Sequence, residues 1–287
     1  MSSSWKRWLV SSSVVCGLAC SDSGAGGSIG DGGDSAKDDG KDSNTSRDGG
    51  GLDGARRDSS VRRDGSNNSS GDGGGEEESC GVLMAKIRDF TPQTSKDFET
   101  FEGSGTEGIV AERLDAQHLP VFADAKGQVT SKTTFDQWYR DVPGVNQPIA
   151  VTIPNQASNP AGEYSYSSSA FFPIDGEGFG DFESSGHNFH FTTQIAATFT
   201  YKGGEVFDFM GDDDLWIFVN DRLALDLGGL HSALPGTIDF DAQATKLGIE
   251  KGKTYRMDIF HAERHTTASN FKFSTTITCF TVPPILI

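Results

Sequence analysis

Basic residues are scarce in this sequence. The chain has 24 lysines and arginines against 41 aspartates and glutamates, which gives a formal net charge of −17 at pH 7. Proteins that bind nucleic acid or anionic lipid need clustered positive charge, because phosphate neutralisation supplies much of their affinity. Residues 80–287 contain no Lys/Arg cluster. We therefore expect no nucleic-acid partner, whereas cations and neutral or cationic glycans are compatible with this charge.

Cysteine is also rare, with four residues in the whole chain. Cys16 and Cys20 lie near the N-terminus, and Cys80 and Cys279 bracket nearly all of the part of the sequence that looks folded, residues 80–287, which contains all 20 phenylalanines. Neither of the latter two has a second cysteine nearby, which disfavours a zinc site. In an oxidising compartment we expect a Cys80–Cys279 disulfide, and the alternative is a pair of free thiols.

The apolar run at residues 8–19 is too short to span a bilayer as a helix. It follows Lys6 and Arg7 and ends directly before Cys20, an arrangement that resembles the signal of a bacterial lipoprotein. We therefore predict a signal peptide over residues 1–19 and lipidation of Cys20. The protein would be exported to the cell envelope, on its outer surface, and would contact the membrane only through this anchor. An ordinary signal peptide cut nearby is the alternative.

Residues 20–79 lack aromatic residues and are rich in glycine, aspartate and serine. Such a segment cannot bury enough apolar area to offset the entropy of ordering, so we predict a disordered acidic tether. As a flexible coil it would hold the following domain roughly 40 Å from its anchor. No repeat of solenoid period is present, which leaves residues 80–287 as one folded domain.

Helical periodicity is nearly absent from that domain, and the best candidate is a short amphipathic piece at residues 133–142. Alternating or continuously apolar runs of strand length dominate instead. Two of them flank Lys202-Gly203-Gly204, and two flank Asn220-Asp221, which suits a type I′ turn. We predict two hairpins at these turns and an all-β antiparallel sandwich.

Five separated strings carry a resemblance to a known family: "FDQWYRDVPGVN", "FFPIDGEGFG", "HNFHFTT", "FTYKGGEVFDFMGDDDLWIFVNDRLALDLGGLHSA" and "FHAERHTTASNFKF". Together they resemble the fibro-slime domain family, whose members occur on secreted or surface proteins. That family is similar to the PA14-type β-sandwich modules of adhesins, toxins and glycosidases. The resemblance implies a PA14-like fold and a binding module. It does not fix the ligand.

Three consecutive aspartates, Asp212, Asp213 and Asp214, precede a hydrophobic strand. In the calcium-dependent PA14 adhesins two such aspartates hold the ion through a cis peptide, and here Asp212 and Asp213 match the paired positions. The resemblance implies Ca²⁺ at this place, with Asp214 either a third ligand or the hinge into the strand. Glu263 and Asn270 are candidates to complete the oxygen shell that calcium prefers. A solvated acidic turn is the alternative.

Histidines add a second set of candidates, because His231, His261 and His265 belong to the same motifs and are expected around the ligand rim. The spacing in "HAERH" is similar to the HExxH zinc helix, but it follows a predicted strand, where that motif loses its geometry. No GxSxG nucleophile motif is present, and we predict no enzymatic activity. The favoured function is calcium-dependent binding of carbohydrate or extracellular matrix in adhesion. A protein–protein interaction module with structural calcium is the alternative, and a metal-dependent polysaccharide hydrolase is a remote one.

Overall fold

The computed structural model of the chain describes residues 80, 82–154, 156–157, 163–266 and 268–283. The predicted signal peptide, the lipid acceptor Cys20 and the predicted tether lie outside the described residues. Within them, no helix combines the length and the apolar character needed to cross a membrane.

Eleven strands and two helices make up the described chain. The strands are β1 (Val82–Asp89), β2 (Gln147–Pro154), β3 (Gln156–Ala157), β4 (Tyr164–Ser168), β5 (Phe191–Tyr201), β6 (Val206–Gly211), β7 (Asp214–Val219), β8 (Arg222–Leu227), β9 (Leu234–Asp239), β10 (Lys253–Glu263) and β11 (Phe271–Thr275). The helices are α1 (Lys132–Phe135) and α2 (Phe240–Leu247).

The strands form two antiparallel sheets. The six-stranded sheet has the order β2-β1-β5-β10-β7-β8, and the five-stranded sheet has the order β3-β4-β11-β6-β9. The main hydrophobic core contains side chains from both sheets, among them Ile195 and Ile259 from the first and Phe207 and Phe273 from the second. The predicted all-β antiparallel sandwich is therefore confirmed.

Strand β7 is buried on both faces, which explains the hydrophobic run that follows the three aspartates. Leu215, Ile217 and Val219 point into the core between the sheets. Trp216 and Phe218 point to the other face, into a second core covered by the chain segment 109–139. A strand covered on both sides needs apolar residues at every position and not at alternate ones.

The turn at Asn220-Asp221 joins β7 and β8 as a hairpin. Both residues have positive φ, 52° and 58°, as a type I′ turn requires. This predicted hairpin is confirmed.

The second predicted hairpin is wrong, because β5 and β6 belong to different sheets. The chain turns at Gly203 and Gly204, whose φ angles are 100° and 84°. The Glu205 carboxylate accepts hydrogen bonds from the backbone N–H groups of Lys202 and Gly203, each at 2.7 Å. The glycines therefore turn the chain across the sandwich to the opposite sheet, and the strands that they join do not pair.

The helical content is small but exceeds the expectation. The predicted piece at 133–142 corresponds to α1, followed by turns. Helix α2 was not expected. Its N-cap Asp239 accepts a hydrogen bond from Ala242 N–H, and its C-cap Gly248 has φ 67°, the left-handed conformation that commonly ends helices.

Cys80 and Cys279 form a disulfide with Cα atoms 5.0 Å apart. This predicted pairing is confirmed. The bond joins the residues before β1 to those after β11, so it closes nearly the whole folded part of the chain into one covalent loop.

Candidate functional site

A pocket of about 370 Å³ lies where the chain crosses from the five-stranded to the six-stranded sheet, between β6 and β7. Three other segments complete its walls: residues 101–103, residues 230–233 and the loop after β10. Its lining residues are Phe101, Glu102, Gly103, Asp212, Asp213, Leu230, His231, Ser232, Ala233, His265, Ala268 and Asn270.

Asp212 reaches this pocket from a crossing that requires glycine before it. An added Cβ on Gly211 would lie 2.7 Å from the Asn270 carbonyl oxygen. The Asp212 carboxylate accepts hydrogen bonds from Asn270 N–H at 2.5 Å and from Asn270 Nδ2 at 2.7 Å. Two of the predicted site residues, Asp212 and Asn270, are therefore brought together directly.

Asp213 lies beside them and is 6% exposed. Its Oδ2 accepts a hydrogen bond from Arg264 N–H at 3.0 Å. Burial raises the pKa of Asp213 to about 7, a shift that the Arg264 charge opposes and the Asp214 charge reinforces. The carboxylate is thus short of compensating positive charge.

Asp214 has a different environment, because it is fully buried and forms an ion pair with Arg264. Its Oδ2 accepts from Arg264 Nε at 2.6 Å, and its Oδ1 accepts from Gly229 N–H at 2.6 Å. This residue does not line the pocket. Both of its carboxylate oxygens accept hydrogen bonds from buried groups, so the side chain has a structural role.

Arg264 is the residue that organises this region, and our sequence reasoning overlooked it. Its Nη1 donates to the carbonyl oxygens of Asp97 and Gln128 at 3.1 and 2.7 Å. Its guanidinium lies 4.8 Å from the centre of the Trp138 ring, in cation–π contact. A usable signal was present, since a run of aspartates before a buried strand requires a cationic partner.

Glu263 ends β10 beneath the pocket and is 1% exposed. Its Oε2 is buried without a hydrogen-bond partner among the described residues. Burial raises the pKa of Glu263 well above its ordinary value, and the negative charges of Asp213 and Asp212 add to that effect. An orphaned carboxylate oxygen next to two other carboxylates is an unusual feature that calls for a physical explanation.

The three candidate histidines differ in position. His231 and His265 line the pocket, and His265 Nε2 lies 3.6 Å from Glu99 Oε2. His261 is instead fully buried beneath the pocket, with Nε2 2.8 Å from the Asp212 carbonyl oxygen. Burial lowers the pKa of His261 to about 4. His261 therefore supports the backbone of the crossing and is not at the rim.

The backbone agrees with one expectation and differs from another. His261 and Glu263 belong to a strand, so "HAERH" does not present the side chains of a zinc helix. No peptide bond among the described residues is cis, which includes the one between Asp212 and Asp213. Hydrogen bonds from Asn270 and Arg264 hold the two carboxylates in place with a trans peptide between them.

A cluster elsewhere was not anticipated. In the described part of the chain, the one group of three His, Cys, Asp or Glu side chains with ligand atoms within 4.8 Å of one another is His118, Asp221 and Asp258. His118 Nδ1 is 2.5 Å from Asp221 Oδ1, and Asp258 is paired with Arg256. Each carboxylate therefore already has a partner: His118 for Asp221 and Arg256 for Asp258. Among the described residues, no three such ligand atoms at the pocket come this close to one another.

A family model matches residues 176–283, which include the aspartate run and the loop after β10. The family is the PA14 domain. The chain is 39% identical over 212 residues to the protein psiQ of Dictyostelium discoideum, covering 68% of this chain and 21% of psiQ. It is likewise 39% identical over 212 residues to psiD of the same organism, of which it covers 41%. The chain thus spans less than half the length of these curated relatives.

Among solved structures, the PA14 sugar-binding domain of an RTX adhesin superposes with a TM-score of 0.32 and 10% sequence identity. That comparison covers 69% of this chain and 90% of the adhesin domain.

Proposed function

We propose that this PA14-containing chain binds carbohydrate through a calcium ion held in the Asp212–Asp213 pocket, and that it acts in adhesion outside the cell. The observation that carries the proposal is the gathering of three carboxyl groups at this pocket with too little positive charge to pair them. Asp212, Asp213 and Glu263 lie together, and among the described residues Arg264 is the cation in contact with them, already paired with Asp214.

The chemistry of these residues fits calcium. Ca²⁺ takes six to eight oxygen ligands in flexible geometry. Asp212 and Asp213 face the pocket, Glu263 has a free oxygen, and the Asn270 amide donates through Nδ2, which leaves its Oδ1 as an acceptor. Asp214 drops out of the proposed ligand set because Arg264 and Gly229 occupy its oxygens. A divalent cation would offset the cost of burying adjacent carboxylates.

The pocket also has the character of a sugar site. Its volume of about 370 Å³ falls within the usual range for small-molecule sites. Phe101, Leu230 and Ala233 provide apolar surface, whereas Ser232 and Asn270 provide polar groups. The ring nitrogens of His231 each lie 3.0 Å from a backbone carbonyl oxygen and are already engaged. A bound calcium ion supplies electrostatic attraction to sugar hydroxyls through the part of its coordination shell left open to the pocket. The match to the PA14 domain and the sugar-binding description of the RTX adhesin module are consistent with this assignment.

Binding, and not catalysis, is the activity proposed. The zinc-helix geometry is absent from β10, and the carboxylates at the pocket are held by hydrogen bonds that suit a static site. Lipid anchoring at Cys20 would place the domain on the outer surface of the cell envelope, where glycans or extracellular matrix are the partners.

Calcium titration of the metal-free full chain by isothermal calorimetry tests the site. We expect one ion per chain and a melting temperature that rises by roughly 5–10 °C at a calcium concentration near 100 times Kd. The double variant Asp212→Asn/Asp213→Asn should lose both effects. The control Asp208→Asn removes an exposed aspartate of β6, four positions before Asp212, and should keep them. An absence of calcium binding by the unmodified chain would refute the calcium assignment.

A further inference from the structure

The segment 174–188, here called the aromatic loop, exposes two large aromatic side chains. Phe179 is 41% exposed and Phe182 is 37% exposed. Single exposed apolar residues are ordinary on protein surfaces, whereas here two large ones lie within four positions of one loop. The loop contains part of the "FFPIDGEGFG" string, whose role the Asp212–Asp213 pocket does not explain.

Hydrogen bonds to two carboxylates, the buried Asp89 and the exposed Asp175, hold the aromatic loop in place. Asp89 is fully buried and accepts from Phe179 N–H and, at 2.9 Å, from Asn188 Nδ2. Asp175 accepts from Asn188 N–H at 2.9 Å and lies 2.6 Å from His187 Nδ1. The phenylalanines therefore project from a fixed scaffold, and little conformational entropy is lost when a ligand contacts them.

Glycine permits the closest of these approaches. Gly178 has φ 61°, and a Cβ at that position would overlap the Asp89 carboxylate. The backbone next to Phe179 can thus rest on Asp89 only when residue 178 is glycine. This directs Phe179 outward, away from the core.

A series of contacts connects the aromatic loop to the wall of the Asp212–Asp213 pocket. The ring centres of Phe182 and His190 are 5.4 Å apart, and His190 Nε2 is 3.1 Å from Glu99 Oε1. The other Glu99 oxygen lies 3.6 Å from Nε2 of His265, which lines the pocket. These contacts link Phe182 to the pocket wall through His190 and Glu99.

A second connection runs through the loop after β10. Phe171, three residues before the aromatic loop, exchanges two hydrogen bonds with Ser269: N–H to the Ser269 carbonyl at 3.1 Å, and Ser269 Oγ to the Phe171 carbonyl at 2.7 Å. Ala268 and Asn270, on either side of Ser269, line the pocket. The pocket wall and the base of the aromatic loop are therefore a single hydrogen-bonded unit.

We propose that Phe179 and Phe182 form an aromatic subsite that stacks against the second sugar of a glycan whose first sugar occupies the Asp212–Asp213 pocket. This inference rests on the proposed carbohydrate function and extends it: the ligand is an oligosaccharide of at least two units. A pyranose ring has an apolar C–H face, and an aromatic ring has a negative face that attracts it. Sugars whose hydroxyls interrupt both faces are poor partners for such a surface.

The test compares monosaccharides with their β-linked disaccharides by calorimetry on the full chain in calcium. The probes are glucose, galactose and N-acetylglucosamine, with cellobiose, lactose and chitobiose. For the disaccharides that bind, Phe179→Ala/Phe182→Ala should weaken affinity about fivefold to tenfold, which is the size of one aromatic contact. Affinity for the corresponding monosaccharide should stay unchanged, because that sugar contacts only the pocket.

Two further variants make the result specific. Phe182→Leu keeps apolar bulk but removes the aromatic face, so it should reproduce most of the loss, and Phe182→Tyr should restore binding. Met84→Ala removes a side chain of similar exposure, 42%, from β1 and should have no effect. Equal affinities of the double variant and the unmodified chain for the disaccharide would overturn the subsite while leaving the proposed function intact. Equal losses for monosaccharide and disaccharide would also overturn it. If the unmodified chain binds no sugar, the proposed function fails first, and the subsite with it.

Discussion

Replacement of Arg264 by methionine removes the one charge that compensates Asp214 while keeping a side chain of similar length. Arg264 and Asp214 are both fully buried. The variant leaves Asp214 without its partner and also orphans the carbonyl oxygens of Asp97 and Gln128. Removal of one member of a buried pair costs about 3–5 kcal/mol, because the remaining charge stays buried and unpaired.

Urea denaturation of the metal-free full chain at neutral pH, followed by tryptophan fluorescence, measures this loss. The probe is suitable because Trp138 and Trp216 are fully buried in the second core. For a domain of this size the expected loss corresponds to a fall in melting temperature of roughly 6–20 °C. Asp214→Asn in the Arg264→Met background should recover part of the stability, because it removes the unpaired charge.

A matched control comes from Arg140, which pairs with Asp115 at 2.6 Å with both side chains partly exposed. Arg140→Met should cost less than about 1 kcal/mol, since solvent screens exposed ion pairs. If Arg264→Met costs no more than Arg140→Met, the buried ion pair does not organise the site and the reasoning is refuted.

Three other predictions concern the same domain. Cys80→Ser/Cys279→Ser should lower the free energy of unfolding by up to about 5 kcal/mol in a denaturant titration, and an unchanged midpoint would contradict a stabilising disulfide. In EGTA, the unfolding free energy of the unmodified chain relative to that of Asp213→Asn should fall as pH rises from about 4 towards 7, by at most about 1.4 kcal/mol per pH unit, because the folded pKa of Asp213 lies above its unfolded value. The comparison cancels the opposite slope that the lowered pKa of His261 gives both proteins. Calcium should abolish the relative fall, and parallel pH profiles of the two proteins in EGTA would count against it. Gly211→Ala should weaken calcium binding at least tenfold in calorimetry because its Cβ would meet the Asn270 carbonyl. Unchanged affinity would contradict the requirement for glycine at this position.

The fold class was accessible from sequence because it depends on local patterns. The structure has three features that such patterns predict. Apolar runs of strand length predict the strands, Asn220-Asp221 predicts a tight turn, and two cysteines in an oxidising compartment predict the disulfide. The pairing of strands is different. Gly203-Gly204 suits a hairpin as well as a crossing between sheets, and only the partners of β5 and β6, supplied by residues far along the chain, distinguish them.

The site shows the same limit at the level of side chains. Sequence reasoning brought Asp212 and Asn270 into one region, and they are in contact in the structure. It could not assign separate roles to the three aspartates, because Asp214 differs from its neighbours only through Arg264, fifty positions away. The motif resemblance pointed to Glu263 and His265 as site residues. It did not point to Arg264, which lies between them.

The burial of His261 has a related cause. Positions 261 and 263 lie on one face of β10, directed toward the crossing, whereas His265 follows the strand and reaches the pocket. Equal spacing in sequence therefore does not give equal exposure once the strand ends. The aromatic loop shows a similar limit, because Phe179 N–H bonds to Asp89, ninety positions away, and no local sequence pattern predicts that contact.

The central claim is that the pocket at Asp212 and Asp213 binds sugar through calcium. Its most direct test is binding of the full chain to the mono- and disaccharide panel, measured in calcium, then in EGTA, then with calcium restored. The account predicts binding that disappears in EGTA, returns with calcium and is absent from Asp212→Asn/Asp213→Asn. Sugar binding that persists in EGTA, or calcium binding with no sugar bound under any condition, would contradict it.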